Sequence, residues 1–239
     1  MKRSLISGLL LLCALVVAVP AARAQTWVSA AVLWPGNKVQ FFLNNGNYVR
    51  YDVGSGKPDA GYPKPVNNST WNGLGGRTII GAFNGLNNKA DFFFADNTYS
   101  RYDISADRVD SGYPQPVTNS TWPGLGSYIS RMTGAVNWPN GKVYIFLNDG
   151  TYLRYDLQAD HVDAGYPMRI DHGTWPGLAP YAGHITSAVN WNNGKAYIFL
   201  DNDTYLRYDV AGDHVDSGYP MAINGQNWPG LSGYFHRHW

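Results

Sequence analysis

Three short motifs recur along this chain at nearly constant spacing. Arg-Tyr-Asp occurs at Arg50-Tyr51-Asp52, Arg101-Tyr102-Asp103, Arg154-Tyr155-Asp156 and Arg207-Tyr208-Asp209, at intervals of 51, 53 and 53 residues. Gly-Tyr-Pro starts at Gly61, Gly112, Gly165 and Gly218, and Trp-x-Gly-Leu at Trp71, Trp122, Trp175 and Trp228, with the same intervals. Between Asn137 to Asp156 and Asn190 to Asp209, 15 of 20 aligned positions are identical. A register this regular means four copies of one supersecondary unit, stacked so that each buries what its neighbour exposes.

Each unit reads as strands and tight turns. A small residue, Ala and an apolar residue open it: Ala30-Ala31-Val32, Gly81-Ala82-Phe83, Gly134-Ala135-Val136 and Ser187-Ala188-Val189. An Asn/Gly turn ending in Lys follows, the chemistry of a hairpin. Val39 to Leu43, Ala90 to Phe94, Val143 to Leu147 and Ala196 to Leu200 are nearly all apolar and predict strands buried on both faces. Tyr48 to Asp52 and its equivalents at Tyr99, Tyr152 and Tyr205 alternate ring and polar residue. A weaker fourth strand is expected around Arg108-Val109-Asp110. The stretch from Gly-Tyr-Pro to Trp carries too much Pro and Gly for a strand and is expected to hold a short helical turn. Composition agrees: all 17 acidic residues are Asp, and Gly numbers 27, a bias toward turns and away from helix bundles.

Four-stranded antiparallel units that each begin with small residues suit an all-β, four-bladed β-propeller, because only small side chains fit where four inner strands converge. The blades are expected at about 27–75, 76–126, 127–179 and 180–235.

Residues 1–24 differ in kind. Lys2 and Arg3, the apolar run from Leu9 to Val19 and Ala22-Arg23-Ala24 form the pattern of a secretory signal peptide. The run is about half of the roughly 20 apolar residues a membrane span needs. Cleavage after Ala24 would leave a propeller domain over 25–239 without cysteine, since Cys13 is the only one. The expected product is secreted, extracellular or periplasmic, with no disulfide and no membrane span. It lacks the basic face of a nucleic-acid partner.

The unit resembles the hemopexin-like repeat, which runs small-Ala-apolar, Tyr-x-Arg-Tyr-Asp, Val-Asp-x-Gly-Tyr-Pro and Trp-x-Gly-Leu. The resemblance covers about residues 28 to 235. It implies a four-bladed propeller used mainly for binding: haem carriage, protein and matrix recognition, or small polyamines and sugars. Two departures stand out. The blades often begin with Asp, where this chain has Ser29, Ile80, Thr133 and Thr186. Animal members also close the ring with a disulfide, so closure here must come from strand pairing and from rings such as Trp27, Tyr234, Phe235 and Trp239.

Three candidate sites follow. The resemblance implies that backbone carbonyls of Ser29, Ile80, Thr133 and Thr186 hold a structural hard cation, calcium or sodium, in the channel, with backbone N–H groups near Ala31, Ala82, Ala135 and Ala188 facing an anion. Calcium takes six to eight oxygens, so water would complete the shell; a channel holding only water is the alternative. The six histidines, His161, His172, His184, His214, His236 and His238, all fall in the second half of the chain. His161 and His214 share a repeat position with Lys57 and Arg108 and read as basic residues on an outer strand. His236-x-His238 has the spacing to bind a metal or haem iron if a third group converged. Trp34, Trp138 and Trp191 sit near hairpin tips in three of the four units and could form an exposed platform for sugar rings or a partner. The Arg-Tyr-Asp sets read as structure, with Tyr between blades and the two charges tying strands together.

Catalysis has little support. Glu is absent, and Asp171-His172, an adjacent acid and imidazole pair, lies in a turn-like segment. The expected role is a non-enzymatic binding module, a monomer or weak dimer, recognising a protein or glycan partner. The alternative is a small-ligand carrier for haem, polyamine or metal.

Overall fold

The computed structural model describes residues 25–236, so the signal segment expected over 1–24, His238 and Trp239 lie outside it. The described residues form four antiparallel sheets, each made from one sequence repeat. The inner strands are Val28–Trp34, Ile79–Asn84, Met132–Asn137 and Ile185–Asn190. They pair with Lys38–Leu43, Lys89–Phe94, Lys142–Leu147 and Lys195–Leu200. Those in turn pair with Asn47–Asp52, Thr98–Asp103, Thr151–Asp156 and Thr204–Asp209. Each inner strand touches the inner strands of both neighbouring sheets, and the first also meets the fourth, so the ring closes as a four-bladed propeller.

The outer edge departs from expectation. Each blade has five strands, because two short pairs share the third strand. Arg108–Val109 and its equivalents Lys57–Pro58, His161–Val162 and His214–Val215 take one end. Lys64–Pro65, Gln115–Pro116, Met168–Arg169 and Met221–Ala222, just after Gly-Tyr-Pro, take the other. Pro is tolerated there because a two-residue edge strand needs few N–H donors. The 3-10 helices Ile129–Arg131 and Ala179–Tyr181 follow Trp-x-Gly-Leu and lead into the third and fourth blades, so they lie outside the Gly-Tyr-Pro to Trp stretch where a helical turn is expected.

The four hydrophobic cores lie between blades rather than within them. This is why the second strands are apolar on both faces. Tyr51, Tyr102, Tyr155 and Tyr208 of Arg-Tyr-Asp are fully buried, and Trp71, Trp122, Trp175 and Trp228 pack against rings of the adjoining sheets. Burying one such side chain stabilises by roughly 1.5–3 kcal/mol. The small residue opening the unit is a packing requirement. A Cβ at Gly134 would lie 3.1 Å from Cα of Ser187 on the next inner strand, and one at Gly81 would lie 2.1 Å from Cε of Met132.

Closure without a disulfide rests on the last turn. The Val28 N–H donates to the Tyr234 carbonyl at 2.6 Å, and Asn202 pairs with His236 as an isolated bridge. Phe235 is 0% exposed and stacks on Phe199 with centroids 4.4 Å apart. The C-terminal turn thus plugs the joint between the first and fourth blades.

Candidate functional site

Around each blade the charged residues of the repeat form one network. Lys38 Nζ donates to Asp52 at 2.8 Å and Asp59 at 2.9 Å, while Arg50 Nε donates to the other oxygen of Asp59. Lys89, Lys142 and Lys195 repeat the arrangement with Asp103 and Asp110, Asp156 and Asp163, and Asp209 and Asp216. The lysine hydrogen bond holds the carboxyls of Asp156 and Asp209 down at about 2. Arg50, Arg101, Arg154 and Arg207 also lie over the Tyr rings of Gly-Tyr-Pro. These sets therefore tie the third strand to its edge strands, as the sequence suggested. The Asp52 carboxylate also accepts from the turn N–H of Ser55 at 2.6 Å.

At the axis, the mouth of the channel is a cavity of about 240 Å³ lined by Ala31, Ala82, Ala135 and Ala188 and by Asn84, Asn137 and Asn190. The sequence reading overlooked these asparagines, although they follow the apolar residue of the triplet in three units; Leu33 takes the place in the first. They link the blades. Asn84 Nδ2 donates to the Leu33 carbonyl at 2.9 Å, Asn137 Nδ2 to the Asn84 carbonyl at 2.7 Å, and Asn190 Nδ2 to the Asn137 carbonyl at 3.3 Å.

Ser29, Ile80, Thr133 and Thr186 share a feature that sequence could not show. The register between inner and second strands shifts across each of them, at Val28/Ala30, Ile79/Gly81, Met132/Gly134 and Ile185/Ser187. Each is the extra residue of a β-bulge, which the partner strand leaves out of its ladder. The Thr133 and Thr186 hydroxyls turn back to the Phe146 and Phe199 carbonyls at 3.4 and 3.3 Å, and the Ser29 hydroxyl donates to the Ile79 carbonyl at 2.5 Å.

The hairpin-tip tryptophans are not a free platform. Trp34 and Trp138 are half-buried and Trp191 is 8% exposed. Each fills a cleft between blades: Trp34 packs on Trp71 at 4.9 Å, Trp138 on Trp175 at 5.5 Å and Trp191 on Trp228 at 5.4 Å. Their rings follow the same apolar drive as the rest of the cores, which outweighs presentation at the surface.

The histidines scatter. His161 and His214 lie exposed on edge strands, His172 is exposed in a loop, and His184 Nδ1 is 3.0 Å from Asp201. His236 Nδ1 lies 3.1 Å from Asp203. Among the described residues, no three His, Cys, Asp or Glu side chains gather as a metal site, and no helix is long and apolar enough to cross a membrane.

No family model matches the chain. It is 33% identical to human neutrophil collagenase over 103 residues, 42% of this chain and 20% of that protein. It is 28% identical to rabbit macrophage metalloelastase over 112 residues, 47% of this chain and 22% of that one. The chain thus spans about a fifth of the length of these curated relatives. Solved structures match over nearly the whole propeller. A plant albumin from Cicer arietinum showing hemagglutination has TM-score 0.72 at 22% identity, covering 87% of this chain and 97% of that one. A hemopexin fold protein from cow pea has TM-score 0.71 at 21% identity, covering 89% and 99%. A plant lectin with two metal binding sites, also from Cicer arietinum, has TM-score 0.67 at 22% identity, covering 87% and 97%. With four sequence repeats each folded as one blade around a common axis, the chain has the four-bladed hemopexin-like propeller fold and is similar to the hemopexin-like repeat family.

Proposed function

We propose that this chain is an exported, non-enzymatic binding module that recognises a protein or glycan partner, with a hard cation bound in its channel as a structural element. The observation that carries the reading is how the repeat spends its chemistry. Eight of the 17 Asp residues serve the lysine networks, and Asp107, Asp160 and Asp213 accept from the buried Tyr102, Tyr155 and Tyr208 hydroxyls. Few carboxylates remain for acid–base work, whereas a rigid ring of blades offers broad faces for recognition. The hemagglutinating albumin and the metal-binding lectin of the same fold support the binding role and the glycan class.

The β-bulges support the ion. They free the backbone of Ser29, Ile80, Thr133 and Thr186 from ladder pairing on four strands packed around one axis, where carbonyl oxygens suit calcium or sodium. A haem or transition-metal carrier has less behind it, because among the described residues no three His, Cys, Asp or Glu side chains gather as a metal site. The reading of residues 1–24 as a signal supports export. Glycan-array binding together with affinity capture from extracellular extracts tests the module: a specific glycan or protein is expected, and blank results in both would refute the partner reading. Metal analysis of extensively dialysed protein tests the ion, with about one equivalent of calcium or sodium expected.

A further inference from the structure

The four interblade clefts are not equivalent. Two repeat positions face each of them. One is the hairpin tip, occupied by Trp34, Gly85, Trp138 and Trp191; the other is the third residue of the second strand, occupied by Gln40, Asp91, Tyr144 and Tyr197. Between the third and fourth blades both positions hold rings, Trp138 and Tyr144, packed on Trp175, and the remaining cavity is about 160 Å³. Between the first and second blades Trp34 stays but Gln40 replaces the tyrosine, and the cavity is about 370 Å³. Between the second and third blades both rings are gone, and the cavity reaches about 470 Å³.

Asp91 lines that cavity at 6% exposure, and among the described residues its carboxylate accepts no hydrogen bond and makes no ion pair. A Cβ at Gly85 would lie 2.7 Å from Asp91 Oδ2, so the carboxylate stands where the tryptophan side chain begins in the other blades. The cations nearby are committed. Lys89 is held by Asp103 and Asp110, and Arg101, directly across the ladder from Asp91, donates through Nε to Asp110. These two cations and two carboxylates cancel. Among the described residues, the Asp160 carboxylate across the cleft accepts only from the neutral Tyr155 hydroxyl, at 2.7 Å. Two carboxyl groups are therefore left without a partner of opposite sign, and charging the buried one is costly unless a cation supplies it.

We propose that the cleft between the second and third blades binds an organic ammonium group between Asp91 and Asp160. A metal ion suits the cleft poorly, since no cluster of three ligating side chains exists among the described residues. An alkylammonium suits it well: Trp122, Tyr99 and Tyr155 border the charged end, and Leu86 and Leu157 give the alkyl chain an apolar wall. A neutral sugar would donate hydrogen bonds but leave the charge uncancelled. This inference stands apart from the partner and channel-ion readings, either of which can fail without it.

Calorimetric titration in phosphate buffer tests it, with n-butylammonium chloride and a blocked Gly-Lys-Gly peptide as probes. Saturable one-to-one binding of at least one probe is expected, and Asp91→Asn should weaken it by about tenfold or more. The double variant Gly85→Trp/Asp91→Tyr, which gives this cleft the ring pair of its neighbours, should keep the propeller's circular dichroism and lose the probe. Asp107→Asn, in the adjoining cleft, should bind as the parent does. Binding of both probes assigns the site to free amines and lysine alike, and binding of the peptide alone assigns it to a lysine on a protein. Failure of both probes, parent-like binding by Asp91→Asn, or equal binding of neutral n-butanol would overturn the proposal.

Discussion

Replacing Asp91 by Asn exchanges a buried carboxyl for a neutral amide of nearly the same shape, so it isolates the charge. Burial pushes the Asp91 carboxyl up to about 7; the Arg101 guanidinium opposes this, and the Asp160 and Asp110 carboxylates reinforce it. The remaining charged neighbour, Lys89, stays protonated throughout. In the unfolded chain the same carboxyl titrates near 3.9. The folded state thus binds this proton more tightly, and Asp91's contribution to stability is greatest below about pH 4, falls as pH rises toward 7, and is flat above. About three pH units at about 1.4 kcal/mol each make the fall about 4 kcal/mol. Asn has no such term. Urea unfolding followed by Trp fluorescence at several pH values between about 4 and 8 should therefore show the variant gaining about 4 kcal/mol on the parent across that window. A constant cost of the amide shifts both ends equally and drops out. Phosphate and acetate buffers are needed, because Tris is itself an organic ammonium. If the two stabilities run parallel with pH, Asp91 is not the buried, unpartnered acid described here.

Further outcomes follow from the blade joints and networks. Phe235→Ala should destabilise the chain by about 3–5 kcal/mol in urea, because it removes the ring stacked on Phe199 at the closing joint; a loss under about 1 kcal/mol would mean the last turn does not hold the ring shut. Gly134→Val should abolish soluble folded protein, since the Cβ already meets the neighbouring backbone at 3.1 Å, whereas Gly141→Ala at an open hairpin tip should cost far less. Lys195→Met should move acid unfolding to higher pH. The Asp209 carboxyl, held at about 2 by Lys195, contributes stability above about pH 4 that is lost as pH falls through its folded value, and the variant should surrender it sooner. Exhaustive chelation should lower the melting temperature if calcium sits in the channel, with recovery on adding the ion back; an unchanged melting curve and no bound metal would leave the channel to water.

The candidate sites were legible to different depths. The bulge positions Ser29, Ile80, Thr133 and Thr186 could be named from alignment to the repeat, but the bulge is a register property of two strands. The hairpin-tip tryptophans were misread as exposed because a turn residue is judged by its own strand, while their burial depends on the next blade. Asp91 was passed over among many aspartates. Its signal was present in one column of the alignment, where Gln40, Asp91, Tyr144 and Tyr197 disagree, yet its meaning needed Gly85 and Asp160 brought to the same cleft.

The period of the motifs, the alternation of rings along the third strand and the small residues opening each unit were enough to determine four antiparallel blades around an axis. These are local patterns, and a repeat multiplies each of them fourfold. The chain alone could not decide how the cores partition, because they form between blades from residues about fifty positions apart. Nor could it decide which polar residue is left unpartnered. Pairing depends on distances across a joint, and in one cleft of four the repeat withdrew two rings and left a carboxylate in their place.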